Sequence, residues 1–323
     1  MGEVKISICI PTFNRSKYLE INLVNIKDII TSLKIESKVE IVVSNNNSTD
    51  DTKDVLSRFY NKFSDSLLLS FWNQKESLII QKNQIFVIEK AKFEFFMWLG
   101  DDDFFDIEYL KFVFKLLEKD ATINVIVPSI RSIDIYGHKI EGGDRDLNVS
   151  SRKFKASFKS SLYISWRGHQ MSGLIFKKNI LKNYKSLLVN NMYPFIFFAA
   201  YGALSNNSYH LTNFPISVTQ PGQAKKAWSY GKDGLLNEIF DNYIRLPLSY
   251  FKITQLQLHH YRKQTWRLWM YYEKGNRAFF RAFMSILLAK NSTLLFKLIF
   301  PFWVILLQVI LFLRKRVKKI VIH

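Results

Sequence analysis

Three consecutive aspartates are the residues whose type and spacing could most directly do chemistry. Gly100–Asp103 reads Gly-Asp-Asp-Asp and follows the apolar run Phe95–Leu99. Adjacent carboxylates repel one another, and a divalent cation among them removes that repulsion; oxygen ligands of this kind suit Mg²⁺ or Mn²⁺. A solvated acidic loop, or helix capping by Asp103 or Asp106, would also account for them. Their position directly after an apolar strand favours the metal.

The elements around this acidic run alternate between strand and helix. Apolar runs predict strands at Ile6–Ile10, Val39–Val43, Leu67–Trp72, Phe95–Leu99 and Ile123–Val127. Helical spacing of apolar residues predicts helices at Ser16–Leu33, Asp50–Phe63, Ile80–Ala91 and Asp106–Leu117. This alternation predicts an α/β fold, a mixed and mostly parallel sheet with helices on both faces. Ligands bind such sheets at the carboxyl ends of the strands, which directs attention to the loops 11–15, 44–50, 72–74 and 100–103.

The chain after residue 130 is harder to assign. Residues 131–165 predict a long loop or a hairpin over the site, Met171–Phe176 a strand and Asn190–Leu204 a buried helix. We therefore expect one catalytic domain over residues 1–240, with a nucleotide-sugar-binding half at 1–130 and an acceptor half at 131–240. Residues 241–323 form a basic, aromatic helical region that associates with a membrane.

Charge and hydropathy set this last region apart. Residues 1–150 carry 19 Lys and Arg against 23 Asp and Glu, whereas residues 151–323 carry 27 against 4. Leu298–Leu313 contains no charge, and the basic run RKRVKK follows it. The run is shorter than the roughly 20 residues of a spanning helix and includes Pro301, which favours a helix lying in the membrane interface. A buried core helix with a solvated basic tail is the alternative.

Cysteine content and the N-terminus bear on the compartment. The single cysteine, Cys9, excludes an internal disulfide framework and a cysteine-based zinc site. The first residues lead straight into a strand and do not read as a signal peptide. We therefore expect the catalytic part at the cytoplasmic face of the inner (plasma) membrane, as a peripheral or tail-embedded protein.

Four polar segments at the ends of predicted strands follow one another in a recognisable order. They are Ile8–Arg15 (ICIPTFNR), Val43–Asp50 (VSNNNSTD), Asn83 and Leu99–Asp103 (LGDDD). Together they resemble the family 2 glycosyltransferases, which have the GT-A fold. The likeness covers roughly residues 4–130 and weakens towards residue 240. Within the family, the loops and the length are most similar to O-antigen and capsule transferases, including the abequosyltransferases that use a CDP-dideoxyhexose.

The resemblance implies a nucleotide-sugar site. The residues at the end of the first strand that line it are Pro11, Thr12, Asn14 and Arg15. Ser44 and Asn45 stand where the family contacts the base and ribose. An aspartate is usual there, and Asn45 departs from the pattern, but a carboxamide can still pair with a pyrimidine edge because it both donates and accepts. Lys82 stands where an arginine is common and would reach the nucleotide or its phosphates.

The resemblance also implies a metal site in the acidic run. Asp102 is the expected direct ligand of Mn²⁺ or Mg²⁺, with Asp103 as a second ligand. Asp101 or Asp103 would contact the ribose or the sugar. The first aspartate of the family motif is Gly100 in this chain, so the match is not complete. The cation would neutralise the diphosphate as it leaves.

Cations and a base complete the expected site. Lys225, Lys226 and Trp228 are candidates to fold over the diphosphate, although a solvated surface explains the lysines equally well. Inverting members need a base near the acceptor hydroxyl, and residues 190–204 hold no acid. His169 and Asp144 are the leading base candidates, and a retaining outcome, which needs no such base, stays open.

The resemblance therefore implies a glycosyltransferase of the hexosyl type. It would move one sugar from a nucleotide-sugar donor to a lipid-pyrophosphate-linked or polysaccharide acceptor in O-antigen, lipopolysaccharide or capsule synthesis. An oligomer is left open.

Three rival functions fit part of the same pattern. A basic chain with interleaved aromatics is typical of nucleic-acid binding, but the first half is acidic and no nucleic-acid motif is present. A nucleotidyltransferase is also α/β with paired carboxylates, but the loop Pro11–Arg15 lacks the glycines expected there. A non-catalytic membrane scaffold could keep a GT-A-like fold, although the intact acidic run argues against it.

Overall fold

The computed structural model describes residues 3–185, 191–220 and 239–320 of the chain, and of residues 185, 269 and 308–320 it describes the backbone only. The chain divides into two compact units, Met1–Trp228 and Ser229–His323.

One sheet dominates the N-terminal unit. Its strands, among the described residues, are β1 Ile6–Thr12, β2 Val39–Asn45, β3 Leu68–Asn73, β4 Phe95–Trp98, β5 Ile123–Ile133, β6 Arg152–Phe154, β7 Leu174–Lys177 and β8 Asn207–Thr219. The spatial order is β3-β2-β1-β4-β7-β5-β8-β6. β1 pairs in parallel with β2 and β4, β2 with β3, and β5 with β8. β7 runs antiparallel between β4 and β5, and β6 antiparallel to β8.

Helices cover both faces of this sheet. They are α1 Ser16–Leu33, α2 Thr52–Phe63, α3 Ile80–Lys90, α4 Ile107–Lys119, α5 Phe158–Ser165, α6 Ile180–Lys185 and α7 Pro194–Ser205. Asp106 starts α4 as an N-cap that accepts a hydrogen bond from the Tyr109 amide. The residues of β2 are all buried, as expected of a central strand that helices cover on both sides.

The two faces of the sheet are filled differently. On one face, Ile8, Leu23 of α1 and Val113 of α4 belong to one buried, mainly aliphatic cluster. On the other, Trp98 packs edge-on against Phe176 and Phe198, with ring centroids 5.7 and 4.9 Å apart. Burying each such side chain stabilises the fold by about 2 kcal/mol. This sandwich holds the carboxyl ends of β1, β2 and β4 at one edge.

The predicted fold class is confirmed, and the later elements correct its details. The sheet is mixed and mostly parallel with helices on both faces, and the predicted buried helix is α7. Residues 131–165 are not simply a loop or hairpin: β5 extends to Ile133, bridges join Ile130 to Arg145 and Ile133 to Lys139, and α5 follows. The pattern did not predict β8, which interleaves polar residues such as His210 and Asn213.

The C-terminal unit is helical wherever it is described. Its helices are α8 Ile239–Ile244, α9 Tyr250–Lys263, α10 Trp266–Tyr272, α11 Asn276–Leu287 and α12 Leu294–Ile320. Phe296 and Phe300 of α12 are fully buried, and the Phe296 ring lies 4.9 Å from Phe240. The described helices include none that is both long enough and apolar enough to cross a membrane.

Gly173 tests how tightly the sheet is packed at β7. Its φ is +76°, and an added Cβ would lie 2.3 Å from Ile216 Cγ1 and 3.1 Å from Pro128 Cγ. Gly173→Ala should lower the free energy of unfolding by about 3 kcal/mol, because overpacking adds to the cost of a left-handed alanine. Gly137→Ala, at φ +85° with open space around it, should cost about 1 kcal/mol. Equal losses for both variants in urea titrations would show that packing at Gly173 does not matter.

Candidate active site

The carboxyl ends of three parallel strands bring the polar loops together. Thr12 at the end of β1 is in register with Asn45 at the end of β2, and the Asn46 amide donates to the Thr12 carbonyl at 2.9 Å. On the other side of β1, the Leu99 amide donates to the Cys9 carbonyl at 3.0 Å. The acidic run therefore lies beside the end of β1, as the strand order requires.

Two of the three aspartates pair with an arginine from the β1 loop. The Arg15 guanidinium contacts Asp102 Oδ2 in an ion pair, and its Nε lies 3.4 Å from Asp101 Oδ1. Thr12 Oγ1 donates to Asp101 Oδ2 at 2.7 Å, and the Tyr18 ring lies 4.4 Å below the guanidinium. Burial alone would lower the pKa of Arg15, but the charges of the two aspartates raise it above its ordinary value. Arg15 is thus a permanent cation facing the acidic run.

Asp103 faces the protein frame instead. Its Oδ1 accepts a hydrogen bond from the Thr219 amide at 2.8 Å, and its Oδ2 accepts from Ser172 Oγ and, at 3.3 Å, from Gln170 Nε2. Both oxygens are therefore used to hold the β4 loop against segments that are distant in the sequence. This makes Asp103 a support of the loop, and its metal role stays a prediction.

The acidic run has the chemistry of a cation site but few protein ligands. In the described ranges, no three His, Cys, Asp or Glu side chains converge as a metal centre. Asp103 is held by hydrogen bonds and Asp102 is paired with Arg15, so the role of Asp102 as direct ligand of Mg²⁺ or Mn²⁺ stays a prediction. Such ions commonly bind through one or two carboxylates and take their remaining ligands from phosphate and water. The residues present fit a cation of that kind.

The end of β2 carries a connected set of neutral amides. Ser44 Oγ donates to Asn83 Oδ1 at 2.6 Å, and Gln74 Nε2 donates to Ser44 Oγ at 3.1 Å. Asn45 Nδ2 donates to Asn73 Oδ1 at 2.8 Å. The predicted base-binding residues therefore sit in a network that is fixed by hydrogen bonds and carries no charge. Asn73 and Gln74 lie in the loop 72–74 that the ends of the predicted strands pointed to, although no motif gave either residue a role.

Asn14 joins the loops after β1 and β2. Its φ is +54°, a left-handed conformation that asparagine tolerates better than most residues. Its amide donates to Ser48 Oγ at 2.8 Å, and its Oδ1 accepts from the Thr49 amide at 2.8 Å. Asn14 therefore acts as a connector between the loops. Pro11, in register with Ser44, ends the same strand.

The predicted phosphate-binding cations are placed less clearly. Lys82 is exposed on α3, beside the buried Asn83. Lys225, Lys226 and Trp228 lie outside the described residues.

The two base candidates differ in their surroundings. His169 is half-buried, and its Nδ1 lies 2.9 Å from the Trp166 carbonyl. A neutral ring that donates from Nδ1 carries its lone pair on Nε2. The next residue, Gln170, contacts Asp103, so His169 is one residue along the chain from a side chain that contacts the acidic run. Asp144 Oδ1 instead accepts the Ser132 amide at 2.7 Å.

A buried cluster of charges positions the turn that carries His169. Arg167 donates to both oxygens of Asp146, at 2.7 Å from Nε and 3.0 Å from one terminal nitrogen. His210 Nε2 lies 3.3 Å from Asp146 Oδ2, and Arg145 donates to the Arg167 carbonyl at 2.8 Å. Burial alone would raise the pKa of Asp146, but contacts with His210 and Arg167 hold it well below its usual range. Asp146 is therefore a fixed counter-ion.

Several residues of this site could not be found by reading the sequence. Ser172 and Thr219 contact the acidic run from 69 and 117 residues away in the chain. Neither belongs to a recognisable motif. Only the insertion of β7 beside β4 and the end of β8 bring them to this edge of the sheet.

Asp146→Asn should destabilise the N-terminal unit by about 3 kcal/mol at pH 7, because Arg167, and Arg145 whose Nε lies 3.6 Å from Asp146 Oδ2, lose their counter-ion. Asparagine keeps the left-handed backbone at φ +60°. Since the folded pKa of Asp146 is lowered, its stabilisation is complete above the unfolded value of about 3.9 and declines as the pH falls below it. Urea titrations should therefore show a smaller difference from wild type at pH 3. Asp65→Asn, at an exposed position of the same unit, should change little, and an equal loss there would contradict this role.

Comparison with known proteins finds several that are similar to this chain. A curated β-1,3-glucosyltransferase of Campylobacter jejuni that acts on GalNAc(5)-diNAcBac-PP-undecaprenol is 33% identical over 99 residues, 31% of this chain and 30% of that relative. The S. aureus TarS fragment 1–349 with UDP-GlcNAc superimposes with a TM-score of 0.57 at 16% identity, covering 80% of this chain and 73% of that fragment. A mannosyltransferase of Pyrobaculum calidifontis with GDP-Man and Mn²⁺ gives 0.57 at 16% identity, covering 88% and 74%.

The two solved structures share the fold of this chain, which is the GT-A fold that the sequence predicted. The family model for glycosyl transferase family 2 matches residues 7–184, a segment that holds the acidic run, Arg15, the amide network and His169. Because this match covers more than half of the chain, the protein belongs to glycosyl transferase family 2.

Proposed function

We propose that this protein is a glycosyltransferase that moves a single sugar from a nucleotide-sugar donor to a lipid-linked saccharide. The observation that carries the proposal is the buried meeting of Arg15, Asp101 and Asp102 at the carboxyl ends of β1 and β4. In parallel α/β sheets this edge is where ligands bind. A permanent cation beside carboxylates that can hold a metal ion is suited to a diphosphate.

Two groups of residues in the donor site would bind different parts of the nucleotide sugar. The neutral network of Ser44, Asn45 and Gln74 would face the base and ribose, and Asp102 would hold Mn²⁺ or Mg²⁺ against the diphosphate. When bound, the cation supplies charge neutralisation to the leaving group. Arg15 is close enough to Asp102 to compete with that cation, so we expect it to turn towards a phosphate once the cation binds. Lys82, Lys225, Lys226 and Trp228 remain candidates for the outer side of the diphosphate.

The transfer itself needs a proton acceptor if it inverts the sugar. His169 is the base that we propose, because its turn is locked by the Asp146 cluster and adjoins the acidic run through Gln170. Its Nε2 would take the proton of the acceptor hydroxyl as the sugar moves. Asp144 is the weaker candidate, since one of its oxygens already holds the Ser132 amide.

The relatives and the charge of this chain support a lipid-linked acceptor. The Campylobacter relative acts on a saccharide linked through a diphosphate to undecaprenol, although this chain covers only 30% of it. The excess of cations after residue 150 suits an anionic lipid diphosphate at the cytoplasmic face of the inner membrane. We therefore infer a role in O-antigen or capsule polysaccharide synthesis.

The donor site predicts metal-dependent nucleotide binding. In calorimetric titrations of the full chain, one of UDP, CDP, dTDP and GDP should bind at least tenfold more tightly with Mn²⁺ than without it. Asp102→Asn should reduce this metal effect to about one, because it removes the carboxylate that holds the cation. Asp106→Asn is the matched control, since asparagine also caps α4 well, and it should keep the metal effect.

Two results would contradict the donor site. One is a folded protein that binds none of the four nucleotides, which would revive the nucleic-acid and scaffold interpretations. The other is an Asp102→Asn variant whose binding still depends on Mn²⁺.

The proposed base predicts a defect confined to the chemical step. His169→Gln should lower kcat at least tenfold with little change in donor affinity, because glutamine can hydrogen bond but cannot take the proton. His138→Gln replaces an exposed histidine of the same unit and should behave as wild type. Wild-type turnover by His169→Gln would remove this histidine and leave Asp144 or a retaining reaction.

A further inference from the structure

The last helix presents an uncovered apolar face. Its members are 57–75% exposed and recur at helical spacing: Leu294, Leu298, Phe302, Ile305 and Leu306. We call these five residues the α12 apolar face. Five large apolar side chains in one row are more than the scattered exposed residues that soluble surfaces normally carry.

The opposite face of the same helix is packed into the protein. Phe296 and Phe300 are fully buried and Val304 nearly so. The Phe300 ring lies 5.4 Å from the ring of Tyr261 in α9. At the start of the helix, Gln257 accepts a hydrogen bond from the Thr293 amide at 3.0 Å. Lipid cannot surround α12 unless these contacts break, so the helix is not built to cross a bilayer alone.

The chain segment that carries the α12 apolar face is rich in cations. Residues 239–323 carry 15 Lys and Arg against two acidic residues, Asp241 and Glu273. Lys290 is exposed just before the helix, Lys297 lies within it, and the run 314–319 reads RKRVKK. An exposed apolar row with this excess of cations complements a lipid bilayer, whose interior is apolar and whose headgroup layer can be anionic.

We propose that the α12 apolar face docks this protein on a bilayer that contains anionic lipid, with the helix lying parallel to the membrane plane. The five apolar side chains enter the boundary between headgroups and acyl chains, while Phe296, Phe300 and Val304 stay packed on the C-terminal unit. This goes beyond the proposed transfer reaction and does not depend on it, because it concerns binding to lipid without any donor or acceptor.

The first experiment is vesicle flotation of the full chain, synthesised with vesicles present. Wild type should float with phosphatidylcholine vesicles that contain phosphatidylglycerol, and less with phosphatidylcholine alone. The double variant Leu298→Asn, Phe302→Asn should reduce the floating fraction at least tenfold. Ile21→Asn on α1 is the matched control, since Ile21 and Leu298 are equally exposed, at 58% and 59%, and it should float as wild type.

The second experiment measures orientation by the depth of a fluorophore. Cys9 is fully buried, and burial raises the pKa of its thiol, so single cysteines placed at Leu294, Leu298, Phe302 or Leu306 can be labelled selectively. Quenching by lipids labelled at different depths should give all four positions the same depth. In a spanning helix, positions 294 and 306 would differ by about 18 Å.

Three results would overturn the proposal. They are flotation of the double variant equal to wild type, a graded depth along the helix, and a stable dimer in the absence of lipid that the double variant dissociates, which would mean that a second copy covers the face. None of these results depends on nucleotide binding, so a failure of the donor site would be recognised separately.

Discussion

The site depends on how one edge of a sheet tolerates three adjacent carboxylates. Arg15 balances Asp101 and Asp102, and Thr12 supplies a further hydrogen bond. Breaking a buried ion pair on one side leaves an uncompensated charge that costs about 3 to 5 kcal/mol. The β1 loop and the β4 loop are therefore held together by the same groups that would meet the diphosphate. A metal ion that bound Asp102 would occupy a position where the carboxylates already stabilise the positive charge of Arg15.

Neighbouring aspartates in this run have different tasks because the chain turns between them. Asp102 faces Arg15, whereas Asp103 is held by Thr219, Ser172 and Gln170. The Asp103 carboxylate fixes the β4 loop, and the fixed loop holds Asp102 in one position. The cost of desolvating Asp103 is offset by charge-assisted hydrogen bonds. Asp103 thus supports Asp102, and residue type alone does not reveal which aspartate has which task.

The sequence predicted the first half of this fold well, because its signals are local. Each apolar run and each amphipathic helix up to residue 127 has a counterpart in the structure, and parallel strands place their loops at one edge without further information. The later half is different. β7 enters the sheet antiparallel beside β4, and β8 interrupts its apolar pattern with polar residues, one of which, His210, contacts Asp146. Contacts such as Ser172 to Asp103 are set by topology, which no local pattern specifies.

The structure also distinguishes two faces of α12, which the sequence shows only as one apolar run. A run apolar on all sides is consistent with a spanning helix, a core helix or an interfacial helix. The structure divides the run: Phe296 and Phe300 pack on aromatic rings, whereas Leu298 and Phe302 are uncovered. Packing on one side excludes a lone helix in lipid, and exposure on the other excludes a completed core. The bilayer that we propose would cover the exposed face alone, and its anionic headgroups would complement the cations of this segment.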